Sequence, residues 1–580
     1  MLGGCGGGGS SSSSPAQGEA SSVPGFSFVQ HPIPGAFGAA VIAYPTPPYL
    51  LGTANDGNGN LTLLDIHKIG LYPIEVYPRV PYDIRVADFN GDGIPDVISS
   101  VYSPTSVGSW AYLYTGNAAG VFTQDATFGM QYDTADGAGF RGRTENILVA
   151  DFNNDGTVDI FLPTYTYLDS HYDLGGDPTF ERPGPPPNVY NALQSFLLLN
   201  DGTGQFVERA VAAGVSMHST LSGITPVSTD PNGNQPEGTQ AVDFNMDGLI
   251  DFYAGGHLFI NQGVDDQGVP HFKDMAAAWG LTSAVLRSGP PWAPDATLPD
   301  NYLVTDEGAK FLDWNNDGRL DLLLFRWDWG SAHGARLFEF TGTSFIERTQ
   351  ALTTETATCK HPSANTPFFN SPKPVGINGD AAGINAYDLD NDGLEDVLVS
   401  GDANGTATFR NTGCGFAEVS AGDLDGLPGG SGSVGFADLD GDGIIDVVYP
   451  SGAGLAYYDN TTPPQGRSFT VEVVGPNGEH NQFGRVIQVM PPGTSQIYTR
   501  VVDSGSGYLS QNQYPILVGT PYSGAHTVKV FFAPLTQCKF GAPPCKAAIL
   551  SFSISAGQRA LAYAPSATYP SGNAVITTGK

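Results

Sequence analysis

The chain has 580 residues and carries 58 acidic against 25 basic side chains, a net charge of −33. That balance argues against nucleic acid or anionic lipid as a partner of its surface. Its 76 glycines and 44 prolines suit a turn-rich, all-β protein long enough for two domains, and no stretch is long and apolar enough to cross a bilayer as a helix.

Residues 1–24 are low in complexity, a glycine run followed by Ser10 to Ser14. Leu2-Gly3-Gly4-Cys5 resembles a bacterial lipobox, which makes Cys5 a candidate for lipidation and the Gly/Ser run a flexible tether. The implied location is extracytoplasmic, as a bacterial outer-membrane or surface lipoprotein or as a secreted protein. Further on, Phe37-Gly38, Leu51-Gly-Thr-Ala and Leu61-Thr-Leu-Leu-Asp-Ile read as short strands and turns, with Asn55-Asp56-Gly57 a plain turn.

Six nine-residue segments then share one pattern. The first is Asp88-Phe-Asn-Gly-Asp-Gly-Ile-Pro-Asp96, and the others span 151–159, 243–251, 313–321, 388–396 and 438–446. Each has Asp at positions 1, 5 and 9, Asn or Asp at 3 and Gly at 6. Calcium is a hard cation that takes six to eight oxygen ligands, and such a loop can supply most of them. The predicted side-chain ligands are Asp88, Asn90, Asp92 and Asp96; Asp151, Asn153, Asp155 and Asp159; Asp243, Asn245, Asp247 and Asp251; Asp313, Asn315, Asp317 and Asp321; Asp388, Asp390, Asp392 and Asp396; and Asp438, Asp440, Asp442 and Asp446. The main-chain carbonyls of Ile94, Thr157, Leu249, Arg319, Leu394 and Ile444 complete the predicted sets, with water. Glycine at position 6 permits the sharp turn. The start resembles an EF-hand, but position 12 of the first copy is Ser99 rather than a bidentate Glu, and the exits are β-rich.

Aspartates that merely cap hydrogen bonds would explain one such turn, but not six. The twenty aspartates at ligand positions would repel one another without cations. At a Kd of about 10⁻⁴ to 10⁻³ M and millimolar calcium, each site adds about 0.4–1.4 kcal/mol. Six sites then match the net stability of a domain, which predicts a structural role.

A second signature follows the loops, as in Phe196-Leu-Leu-Leu-Asn-Asp-Gly-Thr-Gly-Gln-Phe206 and Leu258-Phe-Ile-Asn-Gln-Gly. It reads as strand, glycine turn, strand. The unit is thus strand, acidic loop, strand, connection, strand, hairpin, strand, and four antiparallel strands repeated radially make a β-propeller. These loops and this rhythm resemble the FG-GAP/VCBS repeats of the integrin α-like propeller type, over residues 35–465. The resemblance implies a calcium-binding propeller of seven blades, with six as the alternative.

Residues 468–580 have no such loop. Phe469-Thr-Val-Glu-Val-Val-Gly475, Asn481-Gln-Phe-Gly-Arg-Val486 and Ser504-Gly-Ser-Gly-Tyr-Leu-Ser-Gln511 resemble the ASPIC/UnbV domain that follows FG-GAP repeats in cartilage acidic protein-like chains. A small β-sandwich packed on the propeller is the expectation. Cys538 and Cys545 could close a short loop between them.

In a four-stranded meander the acidic loops lie at one end, with the third-to-fourth strand hairpins. The long connections at about 163–194, 210–240, 280–308 and 350–383 fall at the other. Tyr165, Tyr167, Tyr172 and Trp292 lie on those connections, and the short link after the fourth loop adds Trp327 and Trp329; these are the candidate ligand-binding residues, because aromatic rings suit sugar stacking or a protein contact. By the same parity Cys414 and Cys359 lie at opposite ends, and they can pair only if the insertion wraps around. The ten histidines make no zinc helix and no nucleophile-elbow motif occurs. The reading is a surface or secreted adhesion protein for a glycan or an extracellular or envelope protein. The alternatives are a polysaccharide-cleaving propeller using acids such as Asp169, Asp173, Asp177 or Glu181, and a structural envelope component.

Overall fold

A computed structural model describes residues 23–32, 42–44, 49–51, 54–55, 61–62 and, with breaks, 81–578. The longer breaks are 102–110, 129–142, 169–188, 217–233, 283–303, 327–334, 371–381 and 428–433.

Each acidic loop joins two antiparallel strands. The second strand of each pair begins on the position-9 aspartate: Asp96–Val101, Asp159–Leu162, Asp251–Ala254, Asp321–Arg326, Asp396–Gly401 and Asp446–Ser451. The first strand ends just before position 1: Pro81–Ala87, Leu148–Ala150, Thr239–Val242, Val304–Leu312, Ala382–Tyr387 and Gly435–Ala437. The third and fourth strands complete sheets such as Phe196–Asn200 with Phe206–Glu208 and Gly405–Asn411 with Phe416–Val419. Asp159–Leu162 and Phe196–Asn200 are apolar along most of their length rather than alternating, because every residue in them is buried. The result is an all-β chain of four-stranded sheets, as propeller blades are.

The sixth loop's sheet takes its outer strand from far away in sequence. Phe28–Pro32 pairs antiparallel with Gly454–Asn460, Phe28 opposite Asn460, so residues ahead of the expected boundary at 35 belong to this sheet. The insertions also add strands. Asn234–Pro236 runs parallel beside Val304–Leu312, and Phe369–Asn370 beside Phe416–Val419.

The expectation that Cys359 and Cys414 lie apart is corrected. They form a disulfide with Cα atoms 4.5 Å apart. The insertion wraps along the outer edge of its sheet: Leu352 N donates to Cys414 O at 2.7 Å, and Phe369 lies opposite Phe416. Cys538 and Cys545 pair as expected.

The C-terminal residues build two four-stranded sheets. One orders Ile516–Thr520, Arg467–Val474, Gln558–Tyr563 and Asn573–Thr578; the other Tyr498–Val501, Val486–Met490, Ala525–Phe532 and Ala548–Ser555. Val471, Val473 and Ala560 of one and Ile487, Val489 and Val528 of the other share one buried core, which makes them a sandwich. That core continues into the second and third acidic-loop sheets through Ile160, Phe161, Ile250 and Phe252.

Candidate metal centre

The six loops fold alike. In the first five loops the position-1 carboxylate accepts the N–H groups of positions 5 and 6, as Asp92 N and Gly93 N donate to Asp88 at 3.1 and 2.8 Å, and in the sixth Asp438 accepts that of position 6, Gly443, at 3.1 Å. The position-5 carboxylate accepts the N–H of position 7, as from Leu249 to Asp247 at 2.9 Å. Position 9 accepts two backbone N–H groups, Phe244 at 3.0 Å and Asn261 at 2.8 Å in Asp251, except in the fourth loop, where Asp321 accepts Phe340 N on Oδ1 alone. Glycine at position 6 has positive φ throughout, between +83° and +94°. At Gly248 a Cβ would also meet Phe532 O at 2.6 Å, so Gly248→Ala is expected to cost at least about 2 kcal/mol of stability in denaturant unfolding.

These hydrogen bonds alone would suit a capped turn. Two oxygens do not. Asp321 Oδ2 and Asp438 Oδ1 are buried without a hydrogen-bond partner, whereas Asp390 Oδ2 pairs with Arg410. An orphaned buried carboxylate oxygen is costly, and a cation would satisfy it. In the fifth and sixth loops, Asp388, Asp390 and Asp392, and Asp438, Asp440 and Asp442, each bring three carboxylates within 4.8 Å of one another. The first four loops have Asn at position 3, whose Nδ2 donates to the position-5 carboxylate, as Asn153 does to Asp155 at 2.8 Å. That bond relieves repulsion which the two all-aspartate loops retain. The donor set is hard oxygen, as calcium requires.

Burial dominates the electrostatics. It pushes Asp243 and Asp313 up to about 8, and Asp151, Asp388 and Asp438 to about 7, with neighbouring aspartates adding to the effect in most of them. Asp159, Asp251, Asp321 and Asp396 are pushed well above the usual carboxylate range for the same reasons.

Two features of the loops are not apparent from the ligand spacing. Position 4 has positive φ in every loop, at Gly91, Asn154, Met246, Asn316, Asn391 and Gly441. Its asparagines reach the next loop: Asn154 Nδ2 donates to Gly248 O at 3.4 Å, Asn316 to Gly393 O at 2.9 Å and Asn391 to Gly443 O at 2.9 Å. The second feature is a buried asparagine on the third strand. Asn200, Asn261, Asn411 and Asn460 each donate Nδ2 to the position-2 carbonyl of the preceding loop and the position-8 carbonyl of their own. Between the third and fourth loops both links are replaced. Met246 stands at position 4 and Phe340 at the third-strand place, and the Phe340 ring packs 5.0 Å from Phe244.

The sandwich covers this face. Asn481 Nδ2 donates to Asp88 O at 2.9 Å in the first loop. Arg485 donates to Asn154 Oδ1 at 2.8 Å and Gly248 O at 2.6 Å, bridging the second and third. Thr499 N donates to Asp313 Oδ2 at 3.0 Å in the fourth, and Arg500 to Gly393 O at 3.0 Å in the fifth. Ser468 Oγ donates to Gly443 O at 2.6 Å in the sixth. Residues 503–513 meet five first strands: Ser504 at Ala241, Gly507 at Ala309, Gln511 at Val86, and Asn512 at Asn385 and Phe436.

Of the candidate ligand-binding residues, Tyr165 and Tyr167 lie on Thr164–Leu168, which pairs with Val189–Ala192 so that Tyr167 is opposite Tyr190. Tyr172, Trp292, Trp327 and Trp329 lie outside the described residues, as does Cys5.

The family described as FG-GAP-like repeat matches residues 88–162 and 388–449, which include the first, second, fifth and sixth loops. No curated protein matches the chain in sequence. Among solved structures, a lectin from Agrocybe aegerita recognising non-reducing terminal N-acetylglucosamine is 16% identical over 66% of this chain and 80% of its own, with a TM-score of 0.33. A rhamnogalacturonan lyase from Bacillus licheniformis is 13% identical over 66% and 71%, TM-score 0.29. A sialidase from Trypanosoma rangeli is 11% identical over 92% and 93%, TM-score 0.28. At these scores the likenesses carry no argument about what the chain binds or cleaves.

Proposed function

We propose that this chain is a calcium-stabilised binding propeller that works outside the cytoplasm and meets its ligand on the face opposite the acidic loops. The observation that carries this is the cover over the loop face. Every acidic loop is touched by the sandwich and the third to fifth lie under it, so that side offers a partner chiefly the exposed tips of the first, second and sixth loops while the sandwich is docked. Calcium would be held in all six loops by the side chains at positions 1, 3, 5 and 9, which supplies charge neutralisation and fixes the loop backbone. The orphaned oxygens of Asp321 and Asp438 support that assignment.

Seven blades fit the ring best. Ile42–Tyr44 lies beside both Pro81–Ala87 and Gly435–Ala437, the first strands of the first and sixth loop sheets. A blade without a metal loop therefore fits between them. The ASPIC/UnbV-like reading of 468–580 rests on its sequence strings, Ser504-Gly-Ser-Gly-Tyr-Leu-Ser-Gln511 among them. Two disulfides support an oxidising compartment, with lipid on Cys5 as the proposed tether.

The ligand class is a glycan or an extracellular protein, on the strength of Tyr165, Tyr167, Tyr172, Trp292, Trp327 and Trp329 on the free-face connections. A glycan and matrix-protein array probed with the full chain tests this. Hits that weaken when Tyr165 and Tyr167 are both changed to Ala support the assignment; hits indifferent to those changes contradict the face.

A further inference from the structure

The sandwich docks over carboxylates that it cannot neutralise by itself. In the third, fourth and fifth loops Asp243, Asp313, Asp388 and Asp390 are at most 2% exposed, while the position-9 aspartates are that buried in all six loops, Asp96, Asp159 and Asp446 included, and owe it to the loop itself. No aspartate of those three loops is exposed, whereas Asp92, Asp155, Asp440 and Asp442 of the other loops are. The covered loops hold ten ligand-position aspartates, and the sandwich brings Arg485 and Arg500 to them. On the ring, Arg319 pairs with Asp317 and Arg410 with Asp390. Four arginines do not offset ten carboxylates, and burying uncompensated charge is strongly unfavourable. Glu395, which pairs with Arg500 at 3.3 Å, makes eleven carboxylates, and three Ca²⁺ ions with the four arginines would offset all but one of them.

We propose that docking of the sandwich is gated by calcium: it closes onto the third to fifth loops once they are loaded and releases when they are emptied. This rests on the calcium reading above. The arginines donate to the position-6 carbonyls Gly248 O and Gly393 O and so read the loop backbone as the ion would hold it. Release withdraws residues 503–513 from the first strands, where Lys310 Nζ meets Asp503 at 3.3 Å and Gly507 exchanges two backbone hydrogen bonds with Ala309. By linkage, docking tightens calcium by the same factor that calcium tightens docking.

The test is hydrogen exchange by mass spectrometry on the full chain in millimolar calcium and in EGTA, beside a calorimetric calcium titration. The contact segments carrying Ile497, Thr499, Gly507 and Gln513, whose amides bond to the ring, are expected to exchange at least about tenfold faster in EGTA, while 528–532 inside the sandwich hold. A D313N/D388N/D390N variant is expected to keep those segments protected in EGTA, because less charge remains to be buried. Calcium binding with exchange unchanged by EGTA would overturn the gate and leave the calcium reading standing. No calcium binding would remove both. Equal loss of protection at 528–532 would rule out a separate docking step, and a variant open in either condition would rule out charge burial as the gate.

Discussion

Chelating calcium at neutral pH is expected to lower the melting temperature by about 5–15 °C. The size follows from six weak structural sites acting together. The pH dependence follows from the buried aspartates. Their folded values lie above the ordinary 3.8, at about 7 for Asp151 and about 8 for Asp243 and Asp313, so the folded metal-free chain holds protons that the unfolded chain releases. Stability in EGTA therefore falls as pH rises from about 4 to about 8. Calcium takes the place of those protons, so the stabilisation it gives grows over the same window. Thermal melts at several pH values, with calcium and with EGTA, check both slopes. Curves that run parallel would contradict the account.

Removing one third-strand asparagine is expected to cost about 2–4 kcal/mol, because it leaves two buried carbonyls without donors. In Asn411→Ala these are Trp314 O and Glu395 O, now at 2.8 and 3.2 Å from Nδ2, and the Gly413 N–H loses its acceptor at 2.8 Å. Asn411→Asp is expected to be worse than Ala. It keeps the acceptor, removes both donations and places another carboxylate beside Asp396, which already accepts from Asn411 N at 2.8 Å. Guanidinium unfolding of the two variants reads the ranking. A cost below about 0.5 kcal/mol for either would remove the asparagine as a link between sheets.

The acidic loops were legible because their ligands lie within nine residues, where spacing alone fixes geometry. The strands after them were legible for a related reason: Asp321-Leu-Leu-Leu-Phe325 has the length and composition of a buried strand. The third-strand asparagine left a faint signal in Leu-Leu-Leu-Asn200 and Phe-Ile-Asn261, but nothing local shows which loops it joins. Long-range features were not legible. Phe28–Pro32 pairs with a strand more than 400 residues away, and its composition does not name that partner. The wrap that brings Cys359 to Cys414 was not legible, because strand parity places the ends of a meander and says nothing of an insertion that runs back along its edge. The covered loop face has no sequence signature, because single residues make it, Asn481, Arg485 and Arg500 among them, with no pattern between them.

The most direct measurement is calcium stoichiometry, by calorimetry and elemental analysis on the full chain stripped with EGTA and re-equilibrated near neutral pH. The account predicts close to six Ca²⁺ per chain, with occupancy lost when the position-1 aspartates are changed to Asn one loop at a time. A folded chain that takes up no calcium would contradict it.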